Sequence, residues 1–288
     1  MKRYAVIDIG SNSVRLLFVA DGKVLYKRLH TTRLGENLAL TGTLTSQAIS
    51  RTAEAVKSFY FQAKNEGAEE IFAFATASVR SAKNGVEFIK KVKEICPLEV
   101  EVVSGETEAE IGILGALGTN DGAILDIGGA STELIVKQNG KCVYKKSIDI
   151  GAVRLKDICG RDKSILENYC REIAKQFGEV PTFPTLTAIG GTATTLCALA
   201  LELPCYDSGL VTGAKVDKTC LVSLVDKLFS LSTSEIANLP CITSGREDII
   251  GGGAILLLSI LDYLHLHSFT ASDRDNLEGY AIKKGYLL

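Results

Sequence analysis

Two stretches of this chain are copies of one another. Ala5-Val-Ile-Asp-Ile-Gly-Ser-Asn-Ser-Val-Arg-Leu-Leu-Phe18 aligns without a gap with Ala123-Ile-Leu-Asp-Ile-Gly-Gly-Ala-Ser-Thr-Glu-Leu-Ile-Val136, so that Asp8 meets Asp126 at an offset of 118 residues. At the same offset Asp21-Gly-Lys-Val-Leu-Tyr-Lys27 meets Asn139-Gly-Lys-Cys-Val-Tyr-Lys145. Each copy reads as an apolar strand, a Gly/Ser turn, a second apolar strand, an Asp-Gly or Asn-Gly turn and a third strand. Such two-residue turns match the twist of antiparallel strands and are the strongest short-range hairpin signal. Each copy is therefore expected to open its own domain. A length of 288 residues suits two domains, because single cores stop growing near about 250 residues.

Beyond the first copy, Ile49, Ala53, Val56, Phe59 and Ala63 recur at helical spacing and predict a helix over 45–65 that ends at Gly67. A strand over 70–75, a helix over 85–95, a strand over 98–103 and a helix over 106–117 follow. The second half predicts helices over 151–159 and 165–177, a strand over 185–189, and helices after Gly191, Asp217 and Arg246. Hairpin sheets extended by strands alternating with helices make an α/β fold. The boundary falls at 118–122, giving domains 1–117 and 118–288, with a C-terminal helix over about 275–288 expected to pack back on the first domain.

With 46% hydrophobic and 23% charged residues, 27 glycines and 5 prolines, the chain is expected to fold rather than stay disordered. No run reaches the roughly 20 apolar residues needed to span a bilayer, since Gly251, Gly252 and Gly253 interrupt the segment 249–261. The N-terminus enters a strand directly, without a cleavable leader. No membrane partner and a cytoplasmic location are expected. The net charge of -2 argues against a general nucleic-acid binder. The 8 cysteines form no C-x-x-C pair or zinc spacing and read as buried reduced thiols.

Gly/Ser turns at the ends of buried strands let backbone N–H groups and short hydroxyls close on an anion. Two matching turns, Gly10-Ser11-Asn12-Ser13 and Gly128-Gly129-Ala130-Ser131-Thr132, have that form. Each follows an aspartate at the end of an apolar strand, where a carboxylate is costly unless partnered. Asp8 and Asp126 either cap their own turns or hold Mg²⁺ directly or through water. At one aligned position the copies differ: Arg15 suits phosphate and Glu133 suits a metal, the alternative being two outward-facing strand residues. Ser104-Gly-Glu-Thr-Glu-Ala109 puts carboxylates on the opening turn of a helix, where Glu106 and Glu110 read as dipole partners. In Ile189-Gly-Gly-Thr192, Gly191 and Thr192 stand at a helix N-terminus, another anion site.

Together with Thr32-Arg-Leu-Gly-Glu-Asn-Leu38, Ala75-Thr-Ala-Ser-Val-Arg80 and Gly151-Ala-Val-Arg154, these motifs resemble the exopolyphosphatase and guanosine pentaphosphate phosphatase family along the whole chain. The resemblance implies two actin-like, ribonuclease H-like domains of the ASKHA superfold with an interdomain cleft. It implies Glu108 as general base, Asp126 and Glu133 as ligands of Mg²⁺ or Mn²⁺ with Asp8 as a further candidate, and a phosphate grip. That grip comprises Ser11, Asn12, Ser13, Arg15, Arg80, Gly128, Gly129, Ser131, Thr132, Gly191 and Thr192. Arg154 reads either as a further phosphate contact or as a brace of its own helix.

Water would attack the terminal phosphoryl group of a polyanion, with polyphosphate the expected substrate and guanosine pentaphosphate (pppGpp) the alternative. A homodimer is expected. Three positions depart from the family pattern: Ala130 for a third glycine, Thr107 for an acidic neighbour of the base, and Leu277 for an arginine. The chain stops at Leu288, without the helical HD-type domain of longer relatives, so no extended polyphosphate track is expected. The rival readings are an ATP-dependent phosphotransferase of the same superfold and a non-catalytic sensor of an alarmone or polyphosphate.

Overall fold

The computed structural model of the protein describes residues 2–287. The chain divides into two compact units, one made of the residues up to Gly115 together with those from Asn276 onward, the other of Ala116–Asp275. The first runs β1 (Arg3–Ile9), β2 (Ser13–Ala20), β3 (Lys23–Thr31), α1 (Leu38–Thr41), α2 (Ser46–Asn65), β4 (Glu70–Ala75), α3 (Ala77–Ser81), α4 (Gly85–Ile95), β5 (Val100–Val102) and α5 (Gly105–Ala116). The second runs β6 (Gly122–Ile127), β7 (Thr132–Gln138), β8 (Lys141–Ile148), α6 (Ala152–Cys159), α7 (Lys163–Lys175), β9 (Leu186–Ile189), α8 (Gly190–Ala200), α9 (Ser208–Val211), β10 (Lys215–Asp217), α10 (Lys218–Ser230), α11 (Thr233–Ala237), α12 (Ile250–Tyr263) and β11 (Ser268–Ala271). Helix α13 (Asn276–Lys283) then belongs to the first unit again.

The first sheet has the order β3-β2-β1-β4-β5, the second β10-β11-β9-β6-β7-β8. In both, the repeated three-stranded unit is antiparallel and the added strands β4, β5, β9 and β11 run parallel to its first strand; β10 pairs antiparallel at the edge. This is the ribonuclease H-like arrangement of actin-like domains, present twice. The hairpin turns form as predicted, with Asp21 and Gly22 and their counterparts Asn139 and Gly140 all at positive φ. The repeat reaches down to a defect: β2–β3 shifts register between Phe18 and Val19, and β7–β8 between Val136 and Lys137, the same place in each copy.

Alternation along the strands of the first sheet builds a core on each face. Ala5, Ile7, Ile9, Leu16 and Phe18 pack with residues of α2 and α4, whereas Val6, Leu17, Val19 and Phe74 pack with Ile111 of α5 and with Leu277, Tyr280 and Ala281 of α13. Leu277, where the family pattern expects arginine, is fully buried in this second core. The two helices of that layer meet backbone to backbone: a Cβ on Gly279 would fall 1.6 Å from Ile111 O and 3.0 Å from Gly115 N. We expect Gly279→Ala to cost about 3 kcal/mol by forcing α13 away from α5. A urea midpoint equal to that of the unchanged protein would show that the crossing has room to relax.

In the second unit Leu125, Ile127, Leu134 and Val136 meet α6, α7, α8, α10 and α12 in one large core. Two short strands, β10 and β11, escape the hydrophobic periodicity because 3 and 4 residues are too few to show it. The expectation of buried thiols holds for Cys96, Cys159, Cys170 and Cys197 only. Cys142 is exposed on the edge strand β8 and Cys205 in the connection from α8 to α9, while Cys220 and Cys241 are half-buried. No helix among the described residues is long and apolar enough to cross a membrane.

Candidate active site

In the first unit, β1 delivers Asp8 to the end of the sheet and β2 places Arg15 directly opposite it. Arg15 Nε donates to Asp8 Oδ2 at 3.0 Å and Arg15 Nη2 donates to the same oxygen. Asp8, 3% exposed, is thus partnered across the strands by a guanidinium, not by its own turn alone. The turn between the strands is closed by Gly10 N donating to Ser13 O at 3.0 Å. It is braced from outside by Thr32 N and Arg33 N, both on Asn12 O, and by Gly35 N on Ser11 O. That bracing explains why the segment 32–38 accompanies the turn in sequence. The Asn12 side chain is 8% exposed, and among the described residues neither its Oδ1 nor its Nδ2 has a hydrogen-bond partner. A buried amide without partners is costly and marks a place where a polar ligand fits.

Helix α5 carries Glu108 in its opening turn, 6% exposed. Arg80, from α3, donates through Nη1 to Glu108 Oε2 at 2.8 Å and to Val103 O at 2.9 Å. Arg80, expected on phosphate, therefore rests on the expected base. Burial pushes the Glu108 carboxyl above the ordinary carboxylate range; the hydrogen bond and charge of Arg80 pull it back in part, and the nearby Asp8 carboxylate adds to the rise. Glu106 and Glu110 are exposed; Glu106 stands in the first turn of α5, where the helix dipole favours an acid, whereas Glu110 lies beyond that turn and pairs with Lys283 at 3.1 Å. Thr107, in place of an acid, exchanges local hydrogen bonds with Ser104 at the start of α5.

In the second unit the same strand register sets Asp126 opposite Glu133, so an acid faces an acid where the first unit has an acid facing an arginine. Glu133 is 3% exposed and accepts a hydrogen bond from Ser147 Oγ at 2.7 Å, which overturns the outward-facing alternative for it. Gly190, at positive φ, lies against the other acid: a Cβ there would fall 2.5 Å from Asp126 Oδ1. Among the described residues no three His, Cys, Asp or Glu side chains form a cluster able to hold a metal. Two carboxylates do fit Mg²⁺, which retains several waters and takes only one or two carboxylates beside phosphate oxygens.

The turn 128–131 is closed by Gly128 N on Ser131 O at 3.0 Å, as in the first unit, and is capped by α6, whose Ala152 N donates to Gly128 O and whose Val153 N and Arg154 N donate to Gly129 O. Only glycine fits at position 151, where a Cβ would fall 2.4 Å from Gly128 O. Thr132 Oγ1 donates to Ile150 O and Thr192 Oγ1 to Ile127 O, so their hydroxyl protons hold the turn together; Thr132 is paired on both sides within the sheet, and the main-chain N–H of Thr192, in the opening turn of α8, is what it can offer an anion. Arg154 Nη1 donates to Asp149 O at 2.7 Å, the brace reading of that residue. Sequence reasoning missed Arg246. Its guanidinium lies on Gly191 at the start of α8, so close that a Cβ there would fall 1.9 Å from Arg246 Nη2. The available signal was an arginine in Ser244-Gly-Arg-Glu-Asp248 just ahead of a glycine-rich helix.

A doubled actin-like fold with anion-ready turns defines a class of enzymes that handle phosphoryl groups. The chain belongs to the Ppx/GppA phosphatase family, which matches residues 18–284. It is 29% identical to exopolyphosphatase 2 of Mycobacterium tuberculosis, over 98% of both chains. It is 26% identical to the guanosine-5'-triphosphate,3'-diphosphate pyrophosphatase of Pseudoalteromonas translucida, over 99% of this chain and 58% of that one. The crystal structure of the Aquifex aeolicus family member superposes with a TM-score of 0.80 at 27% identity, covering 99% of this chain and 97% of the other.

Proposed function

We propose that this phosphatase is an Mg²⁺-dependent exopolyphosphatase, which hydrolyses the terminal phosphoanhydride of inorganic polyphosphate and releases orthophosphate. The observation that carries the reading is the Asp126–Glu133 pair, a carboxylate opposite a carboxylate at the position where the repeat elsewhere has Asp8 and Arg15. The two acids would hold Mg²⁺ or Mn²⁺, with Asp8 left to its arginine. When bound, the cation offsets negative charge that develops on the phosphoryl oxygens.

The other tasks fall to the chain itself. Glu108 takes the proton of the attacking water, and its burial keeps it basic enough to do so. Ser11, Ser13 and the unpartnered amide of Asn12 donate to phosphate oxygens in the first unit, and the N–H groups of residues 129–131 do so in the second. Arg15 and Arg80, each resting on a carboxylate, supply positive charge in the first unit. Gly191, Thr192 and the overlying Arg246 form a further anion subsite at the start of α8.

Polyphosphate is preferred to pppGpp because exopolyphosphatase 2 is matched over 98% of its length, whereas the guanosine pyrophosphatase is matched over 58% of its own. Orthophosphate release should be followed with Mg²⁺ on polyphosphates of several lengths, on pppGpp and on ATP. Release from polyphosphate that stops on chelation is expected. Rapid cleavage of pppGpp with none of any polyphosphate would overturn the assignment.

A further inference from the structure

The short helix α3 touches both parts of the first unit's site. Ser78, buried in its first turn, donates through Oγ to Ser11 Oγ at 2.5 Å. Gly35 closes the other side: its N–H donates to Ser11 O at 2.8 Å, and a Cβ on it would fall 2.7 Å from Ser78 Oγ and 3.1 Å from Ser11 Cβ. Two residues further along the same helix, Arg80 holds Glu108 and the Val103 carbonyl.

A hydroxyl has one proton to give and two lone pairs to receive with. Because Ser11 Oγ receives from Ser78, its own proton is not spent on that neighbour and is left for a group lying in the turn. We infer that Ser78 is a positioning residue: it turns the Ser11 hydroxyl into a donor aimed at phosphate and, through the helix it shares with Arg80, ties the phosphate turn to the base. This rests on the proposed reading of the turn as a phosphate grip. Ser78 itself touches no substrate, so its effect must pass through Ser11.

The test is a double-mutant cycle of Ser11→Ala, Ser78→Ala and both together, each checked by circular dichroism for an intact fold. Affinity for tripolyphosphate is read by calorimetry, and KM and kcat are read from polyphosphate hydrolysis. Loss of a hydrogen bond to a charged group, converted to affinity, is a factor of about 10–100 for Ser11→Ala. Ser78→Ala is expected to weaken binding about 5-fold, raising KM with little change in kcat, and to add nothing once Ser11 is alanine. Losses that multiply in the double variant, or a Ser78→Ala protein with unaltered affinity, would overturn the inference while leaving polyphosphatase activity standing. An unchanged protein that binds tripolyphosphate without turnover would overturn the function and leave the cycle to judge Ser78. One that does not bind tripolyphosphate at all would overturn both.

Discussion

Glu108→Gln lowers kcat by a factor of about 10²–10⁴, the usual contribution of a positioned general base, and leaves tripolyphosphate affinity within a few-fold of the starting value. The amide keeps an oxygen for Arg80 Nη1 but has no basic lone pair for water. The same substitution raises the melting temperature at neutral pH. In the unchanged protein the folded-state pKa of Glu108 lies above its unfolded value, because burial outweighs the pull of Arg80. Between those two values the native state binds more protons than the unfolded one, so stability falls as pH rises through the window and the full penalty stands above it. The gain from glutamine should therefore be largest at neutral pH and vanish in acid. The acid limb of kcat/KM should lie above the ordinary glutamate range of about 4.3 for the same reason. A variant that retains turnover removes Glu108 from the base role, whatever happens to its stability.

Glu133→Gln should abolish the metal dependence at its source. Outer-shell partners of a bound metal already contribute about 10–100-fold to affinity, so a direct carboxylate ligand should contribute at least that much. Mn²⁺ affinity, read by electron paramagnetic resonance or calorimetry without substrate, is the measurement independent of activity. In parallel the melting temperature of the unchanged protein should climb with Mg²⁺ concentration, by mass action on the folded state, while that of the variant should stay flat. Unchanged Mn²⁺ affinity would show that the Asp126–Glu133 pair is not where the cation binds.

How far these sites were readable before folding depended on whether their partners lie nearby in sequence. The hairpins were legible, because Asp21-Gly22 and Asn139-Gly140 carry their own turn geometry. The helix α4 and the strand β4 were legible from periodicity over 11 and 6 residues. The strand expected over 98–103 shrinks to Val100–Val102, since pairing with β4 begins only at Ala73. The five-residue helix α3 has too few turns to show a pattern, yet it carries both Ser78 and Arg80.

The same division holds for chemistry. Setting Glu133 against Arg15 needed only the alignment of the two copies. Finding that Arg15 rests on Asp8 needed the register of one hairpin, although the two lie seven residues apart, and finding Arg80 on Glu108 needed helix packing that no local motif announces. Arg246 was out of reach because it stands in the loop ahead of α12, while its partner, Gly191, opens α8 far away in sequence in the same unit.

The path of the chain imposes an order on its own assembly. Residues 276–287 complete the core of the first sheet, and they are synthesised after every residue of the second unit. The second unit is continuous and can close as soon as its own segment has emerged from the ribosome. The first must wait, with Val6, Leu17, Val19 and Phe74 lacking their α13 partners through the whole intervening synthesis. An apolar sheet face covered only by α5 for that long is the kind of surface that molecular chaperones bind and that neighbouring nascent chains stick to. For this architecture the vulnerable interval in the cell is the time taken to translate the second unit, and slowing translation there should lower the yield of native enzyme more than slowing it elsewhere.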